Sequence, residues 1–104
     1  MYENQPFTKR YTWEEAKGYC SGLTFGGYSD WRLPNKSELK KLVTKNQNEG
    51  YYIRKEFVKN IQGLFNWFWT STEKNSSYAW LVDFYYGSGN WNYKTLQGYA
   101  LCVR

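Results

Sequence analysis

Asp30-Trp31-Arg32-Leu33-Pro34-Asn35, running on into Lys36-Ser37-Glu38-Leu39, compresses a strand, a stop and a helix start into ten residues. Trp31 and Leu33 alternate with Arg32, the period of a short half-buried strand. Pro34 has no amide to give to a ladder, so the strand ends there. Asn35 can cap the amide of Glu38 while Glu38 reaches back to the amide of Asn35, the reciprocal pattern of a capping box. The sequence on either side supplies more of both kinds of element.

On the N-terminal side, residues 1–11 read as an extended arm anchored by Tyr2 and Phe7. Thr12-Trp13-Glu14-Glu15 is a second capping box, and Trp13, Ala16, Cys20 and Leu23 follow at helical spacing. After Asn35 the second helix is expected to bury Leu39, Leu42 and Val43. Its Lys36/Lys40 and Lys41/Lys45 pairs would then fall on outward faces at i, i+4 spacing. Residues 46–50 read as a polar loop and 51–62 as a short helical insertion. From Phe65 the character changes to strands: Phe65-Asn66-Trp67-Phe68-Trp69-Thr70, a turn over 73–77, and an alternating run over 78–86. That run places Trp80, Val82 and Phe84 on one face and Leu81, Asp83 and Tyr85 on the other. Gly87-Ser88-Gly89 turns the chain, residues 91–96 return, and Gly98 turns it into a last strand over 99–104. Helices first and a meander afterwards is an α+β order, and the length suits one domain over residues 1–104.

Composition sharpens this. Six Trp, eleven Tyr and six Phe make 22% of the chain, so the core must be built largely from rings. Trp and Tyr keep polar tips, so many of them can sit half-exposed and meet a ligand. Of the formal net charge of +5, four units lie in residues 36–59, where Lys36, Lys40, Lys41, Lys45, Arg54, Lys55 and Lys59 face Glu38, Glu49 and Glu56. The residues alone leave two readings of that segment: an anion-facing patch, or a solvated face that keeps an aromatic-rich domain in solution.

Several chemistries are excluded. The chain has no histidine, which removes Ser-His-Asp and Cys-His nucleophile pairs and histidine-ligated zinc. Its two cysteines cannot make a four-thiolate site, and no Asp-x-Asp-x-Asp-Gly calcium loop occurs. Gly87-Ser88-Gly89 lacks the Lys-Ser/Thr and helix of a phosphate loop. No catalytic activity, metal or cofactor is therefore expected. No apolar run approaches the ~18 residues that span a bilayer, and residues 1–20 carry no apolar signal-peptide core. Membrane insertion is not expected. Nucleic-acid binding would suit the charge, but no motif for it is present.

The ordered string as a whole resembles one family. A helix bearing Cys20 is followed by Asp30-Trp31-Arg32-Leu33-Pro34, Glu38-Leu39, Trp69-Thr70-Ser71-Thr72, Ala79-Trp80-x-Val82-x-Phe84-x-x-Gly87 and Cys102-Val103-Arg104. It is similar to the C-terminal domain of bacterial collagen-like adhesins, the Lcl C-terminal domain, a variant of the C-type-lectin fold. The resemblance runs from about Thr12 to Arg104. Leu101 stands where many relatives carry Arg, so any anion-binding role of that position is absent here. Residues 44–63 match nothing in the family's pattern.

The resemblance implies a C-type-lectin-like fold, two helices packed on a small, twisted, mostly antiparallel sheet. It implies a disulfide between Cys20 and Cys102, which the residues alone leave as either a bridge or two separate thiols. A loop of that length would stabilise by ~4–5 kcal/mol in the chain-entropy model. A bridge in turn implies an oxidising compartment, extracellular or at the cell surface. The Glu-Pro-Asn and Trp-Asn-Asp motifs of calcium-dependent C-type lectins are missing. Asn90-Trp91-Asn92 is the nearest echo and lacks the carboxylate.

Two binding surfaces follow. The adhesin domains that the chain resembles bind sulfated glycosaminoglycans, which makes Lys36, Lys40, Lys41 and Lys45 the candidate contacts for an acidic glycan. The second surface is the exposed part of the meander, with Tyr85, Tyr86, Ser88, Asn90, Asn92 and Tyr93 as candidates, alongside Asp83, Thr95, Gln97 and Tyr99. Rigid rings among small polar groups bind diverse protein partners at low entropic cost. Some members of the family are rewritten near the C-terminus by diversity-generating retroelements, and most positions between the framework-like Trp80, Val82, Phe84, Gly87, Lys94, Cys102, Val103 and Arg104 carry residue types such rewriting produces, with Trp91 and Gln97 as exceptions. A third class, a purely structural cap or one that forms a homo-oligomer on a fibrous stalk, needs no ligand.

Overall fold

The computed structural model describes residues 1–61 and 67–104. Along the chain run α1 (Trp13–Ser21), α2 (Lys36–Lys40), β1 (Val43–Asn48), β2 (Tyr51–Ile53), α3 (Lys55–Val58), β3 (Trp67–Glu73), β4 (Tyr78–Asp83) and β5 (Ser88–Tyr93). β1 and β2 form an antiparallel hairpin, while β3, β4 and β5 form an antiparallel meander with β4 in the middle. The α+β class holds, with a short third helix and a separate hairpin beyond the two helices and single sheet that the sequence implies. Gln62, Phe65 and Asn66, read as parts of an insertion and a strand, lie outside the described residues.

Both capping boxes close. The Thr12 hydroxyl accepts from the Glu15 amide at 3.3 Å and the Glu15 carboxylate from the Thr12 amide at 2.9 Å. At α2 the Asn35 side chain accepts from the Glu38 amide at 2.8 Å, and Glu38 accepts from the Asn35 amide at 2.9 Å. Arg32 also grips Glu38 through both guanidinium nitrogens, at 2.7 and 2.5 Å. Those hydrogen bonds, against a smaller opposing desolvation, hold the Glu38 carboxyl down at about 2.

The sheet carries a core on each face. Phe68 and Val82, opposite each other in register, pack with Leu39, Leu42, Ile53, Phe57, Phe84 and Leu101. Trp69 and Leu81, the next register pair, pack with Trp13, Ala16, Cys20, Trp31, Leu33 and Cys102 under α1. Because one strand residue shifts a side chain to the other face, the alternating sequence of β3 and β4 feeds two different cores. Leu101 is fully buried in the first. The buried indoles find acceptors, as rings with a polar edge require. Trp13 donates to the Thr70 carbonyl at 2.8 Å and Trp69 to the Tyr11 carbonyl at 2.9 Å.

The two outer strands expected at the motif ends are looser than a ladder. Trp31 and Leu33 are buried as alternation requires, but Arg32 makes a single bridge, to Val103. The closing segment pairs in turn with different neighbours: Tyr99 with Phe68, and Val103 with both Tyr2 and Arg32. Each residue bonds to a different part of the chain, so no continuous strand accumulates. Cys20 and Cys102 are disulfide-bonded with Cα atoms 5.5 Å apart, as the family resemblance implies. Beside them Glu3 is buried, its carboxylate accepting from the Cys102 amide at 3.1 Å, from Gln5 at 2.6 Å and from the Tyr19 hydroxyl. Burial first, and then Glu3, pushes the Tyr19 phenol up.

The segment after Leu39 departs from the expected helix. α2 stops at Lys40, Leu42 closes a turn onto Leu39, and the chain enters β1. Lys45 therefore sits on a strand, and the Lys41/Lys45 spacing has no helical meaning. Residues 46–50 are strand and turn rather than loop. Glu49 and Gly50 both have positive φ (53° and 92°), as a tight two-residue hairpin turn of the I′ kind needs. The turn expected over Gly87-Ser88-Gly89 lies earlier: Asp83 accepts from the Tyr85 amide at 2.8 Å, and Gly87, at φ 71°, delivers Ser88 directly into β5.

Candidate functional site

The Trp69-Thr70-Ser71-Thr72 run seats α2 against the sheet. Ser71 donates from its amide to the Pro34 carbonyl at 2.8 Å, and the Thr72 hydroxyl accepts from the Lys36 amide at 3.0 Å. Thr70 in turn donates to the Trp80 carbonyl at 2.8 Å. The first turn of α2 is thus bolted to β3, and its lysine stems lean across β4 towards β5.

Lys36 and Lys40 meet β5 where it has no side chain. A methyl group on Gly89 would come within 3.3 Å of Lys36 Cε and 3.9 Å of Lys40 Nζ. Lys36 Nζ lies 3.5 Å from the centre of the Trp80 ring. Trp80 faces Trp91 across the β4–β5 register, with ring centroids 5.0 Å apart and planes at 77°. Lys74, from the β3–β4 turn, places its Nζ 4.1 Å from the centre of the Trp91 ring and 5.9 Å from that of Trp80. Two register steps along, Tyr78 and Tyr93 pair with ring centroids 4.6 Å apart. The result is a row of three ammonium groups and two indoles on one face, next to a shallow groove lined by Asn35, Lys36, Ser37, Lys40 and Thr72.

Some cations are neutralised within the fold, and this row, like the exposed Lys41 and Lys45, is not. Arg32, Lys94 and Arg104 are paired with Glu38, Glu73 and Asp30 at 2.5–2.7 Å. Among the described residues, no carboxylate lies within 4 Å of the ammonium groups of Lys36, Lys40 or Lys74. An outside anion would meet them uncompensated.

Of the residues singled out in the sequence, Lys36 and Lys40 come together with β5, and Tyr93 joins them through its pairing with Tyr78. Lys41 is exposed at the end of α2, and Lys45 is exposed on β1. Tyr85 and Tyr86 are exposed at the β4–β5 turn with their rings packed edge to face. Ser88 and Asn90 are exposed and Asn92 is half-buried along β5. Tyr99, grouped with the exposed meander, is instead buried in the core beside Phe68. Trp80, on the strand face it shares with the core residues Val82 and Phe84, is only half-buried and belongs to the surface row. Lys74 and Trp91 were not among the sequence candidates. The signal for Trp91 was the hairpin register, which sets it opposite Trp80. No group of three His, Cys, Asp or Glu side chains gathers among the described residues, so no metal ligands are assigned. No helix among them is long and apolar enough to cross a membrane.

A protein-family model, the Lcl C-terminal domain, matches residues 2–104 of the chain. No curated protein matches it.

Proposed function

The chain belongs to the Lcl C-terminal domain family, an adhesin-like C-terminal domain, and from that premise we propose a non-catalytic module that binds acidic, sulfated glycans. The proposed contact surface is the lysine face around α2, displayed outside the cytoplasm. The observation that carries this reading is the gathering of the ammonium groups of Lys36, Lys40 and Lys74 on one face, with no carboxylate within 4 Å of them among the described residues. Lysine suits this task because a point charge on a long stem adapts to sulfates at irregular spacing. The disulfide supports an oxidising location.

Heparin affinity across an ionic-strength series tests the reading. Affinity should fall steeply with salt, as expected where bound cations are released from a polyanion. Replacing Lys40 and Lys74 with Gln should weaken binding and flatten the salt slope by roughly one unit for each lysine that no longer meets a sulfate. Because both side chains are exposed, the melting temperature should stay unchanged. Replacing Tyr85, Tyr86 and Tyr93 should matter little. If the tyrosine changes abolish binding and the lysine changes are silent, a protein ligand on the diversified meander becomes the better assignment. Absence of heparin binding at low salt would remove the glycan reading.

A further inference from the structure

We propose that Trp80 and Trp91 are a sugar-stacking platform inside that lysine face, and that Lys36 and Lys74 act as movable covers which leave the indoles to grip sulfate groups. The inference rests on the acidic-glycan reading and adds to it two residues and an order of events.

A half-exposed tryptophan pair is an uncommon surface feature, and this one has a specific environment. Trp91 is 44% exposed, and Trp80 is the framework residue of β4 opposite it. The neighbouring Tyr78–Tyr93 pair extends the same face, with Tyr93 52% exposed. Lys36 lies over one indole and Lys74 over the other, so the two ammonium groups cap the same aromatic pair. Like charges held near each other, with no carboxylate between them, are in a weak arrangement that an incoming anion can rearrange. The attraction of an ammonium for an exposed ring is modest, whereas a charge-assisted hydrogen bond to a sulfate oxygen is among the stronger polar contacts. A sulfated sugar offers both replacements at once. Its sulfates take the ammonium groups, and the C–H bonds on one face of a pyranose, which carry partial positive charge, meet the negative face of the uncovered indole.

Gly89 makes room for the covering lysines. With no side chain at that position, the stems of Lys36 and Lys40 lie against the β5 backbone beside the indoles, where a methyl group would already press on Lys36 Cε. Single-stranded nucleic acid is the competing occupant, since it also combines phosphates with flat rings. The geometry favours the sugar. The indoles stand at 77° to each other, so they do not form the parallel ramp on which successive bases stack. A sugar needs one indole face only.

The test compares two probes of similar charge: a heparin-derived hexasaccharide and inorganic polyphosphate, which has no ring to stack. Trp91→Ala should weaken hexasaccharide binding by about tenfold, the scale of losing one stacked ring, and leave polyphosphate binding nearly unchanged. Lys74→Gln should weaken both probes by similar factors. Trp91→Tyr keeps a ring and should restore most of the hexasaccharide affinity, which separates stacking from any loss of fold in the alanine variant. If Trp91→Ala leaves hexasaccharide affinity within twofold of wild type, the platform is wrong while the acidic-glycan reading stands. Equal losses for both probes would reduce Trp91 to a support for the lysines and overturn the stacking role. Tighter, Trp91-dependent binding of oligothymidylate would reassign the surface to nucleic acid. Failure of the wild-type chain to bind the hexasaccharide at low salt overturns both proposals together.

Discussion

Trp69 and Trp80 sit eleven positions apart in the same meander, yet their surroundings predict different costs of removal. Trp69 is fully buried, edge to face with Trp67, and donates to the Tyr11 carbonyl. Trp69→Ala should therefore destabilise by about 3–5 kcal/mol, the penalty of an emptied aromatic site. Trp80 is half-buried beneath lysine stems, so Trp80→Ala should cost only about 1–2 kcal/mol, mostly from lost partial burial. Urea denaturation of the two variants checks the order, and equal losses would mean that Trp80 is core after all. Glu38 gives a second prediction at this scale. Its carboxyl is depressed from 4.5 to about 2, chiefly by the Arg32 hydrogen bonds. A depressed acid contributes stability that is present above its unfolded value and is lost as pH falls from there through the folded value. The Glu38 contribution should thus disappear between pH 4.5 and about 2. Asp30 and Glu73, lowered by hydrogen bonds from Arg104 and Lys94, act with the same sign. Glu38→Gln should melt lower than wild type at neutral pH, with the gap closing as pH falls to about 2. A gap that persisted in acid would show that the amide damages the cap rather than removing a charge.

At the scale of elements, β5 is the edge of the three-stranded sheet, and edge strands invite pairing with other chains. Lys94 donates from its amide to the Ser77 carbonyl at 2.9 Å, continuing the ladder inward. Amides alternate in direction along an antiparallel edge, so those of Trp91 and Tyr93 point outward. Each is satisfied by the side chain before it: Trp91 by Asn90 Oδ1 at 2.8 Å and Tyr93 by Asn92 Oδ1 at 2.9 Å. The two asparagines thus close the donors that a foreign strand would use. Asn90→Val with Asn92→Val should open the edge and raise the propensity to self-associate, read as a concentration-dependent rise in mass by light scattering. A variant that stays monomeric at high concentration would show that the caps do not guard the edge. This element also marks how far the sequence could be read. Local signals were legible: Thr12 and Asn35 announce their helices because each cap closes within three residues. The hairpin of β1 and β2 was not, because Lys41 and Lys45 mimic helical spacing while the true organiser is the backbone turn at Glu49-Gly50. Half of the candidate site was legible for the same reason. Lys36 and Lys40 lie in a charged run, but Lys74 gains its meaning only from a cross-strand tryptophan brought to it by folding.

Across the whole molecule, the two chain ends are drawn together. The Met1 ammonium donates to the Arg104 carbonyl at 2.9 Å, and the Glu3 amide donates to the Cys102 carbonyl at 2.8 Å. The disulfide locks this closure by joining α1 to the last segment across 82 positions. In the chain-entropy model such a link removes freedom from the unfolded chain and stabilises by ~4–5 kcal/mol, leaving native contacts as they are. That mechanism makes a two-part prediction for Cys20→Ala with Cys102→Ala. The denaturant midpoint should fall substantially, and the slope of the transition should rise, because the unlinked chain unfolds to a more expanded state. Heparin affinity below the melting temperature should stay within about twofold, since the lysine and tryptophan row is seated by α2, β3 and β5, away from the bridge. An unchanged midpoint would mean that the unfolded chain stays as compact without the bridge as with it, so that the bridge removes no freedom from it. Loss of heparin binding in a variant that still unfolds cooperatively would mean instead that closing the ends positions the binding face, and the two halves of the molecule would have to be treated as one mechanical unit.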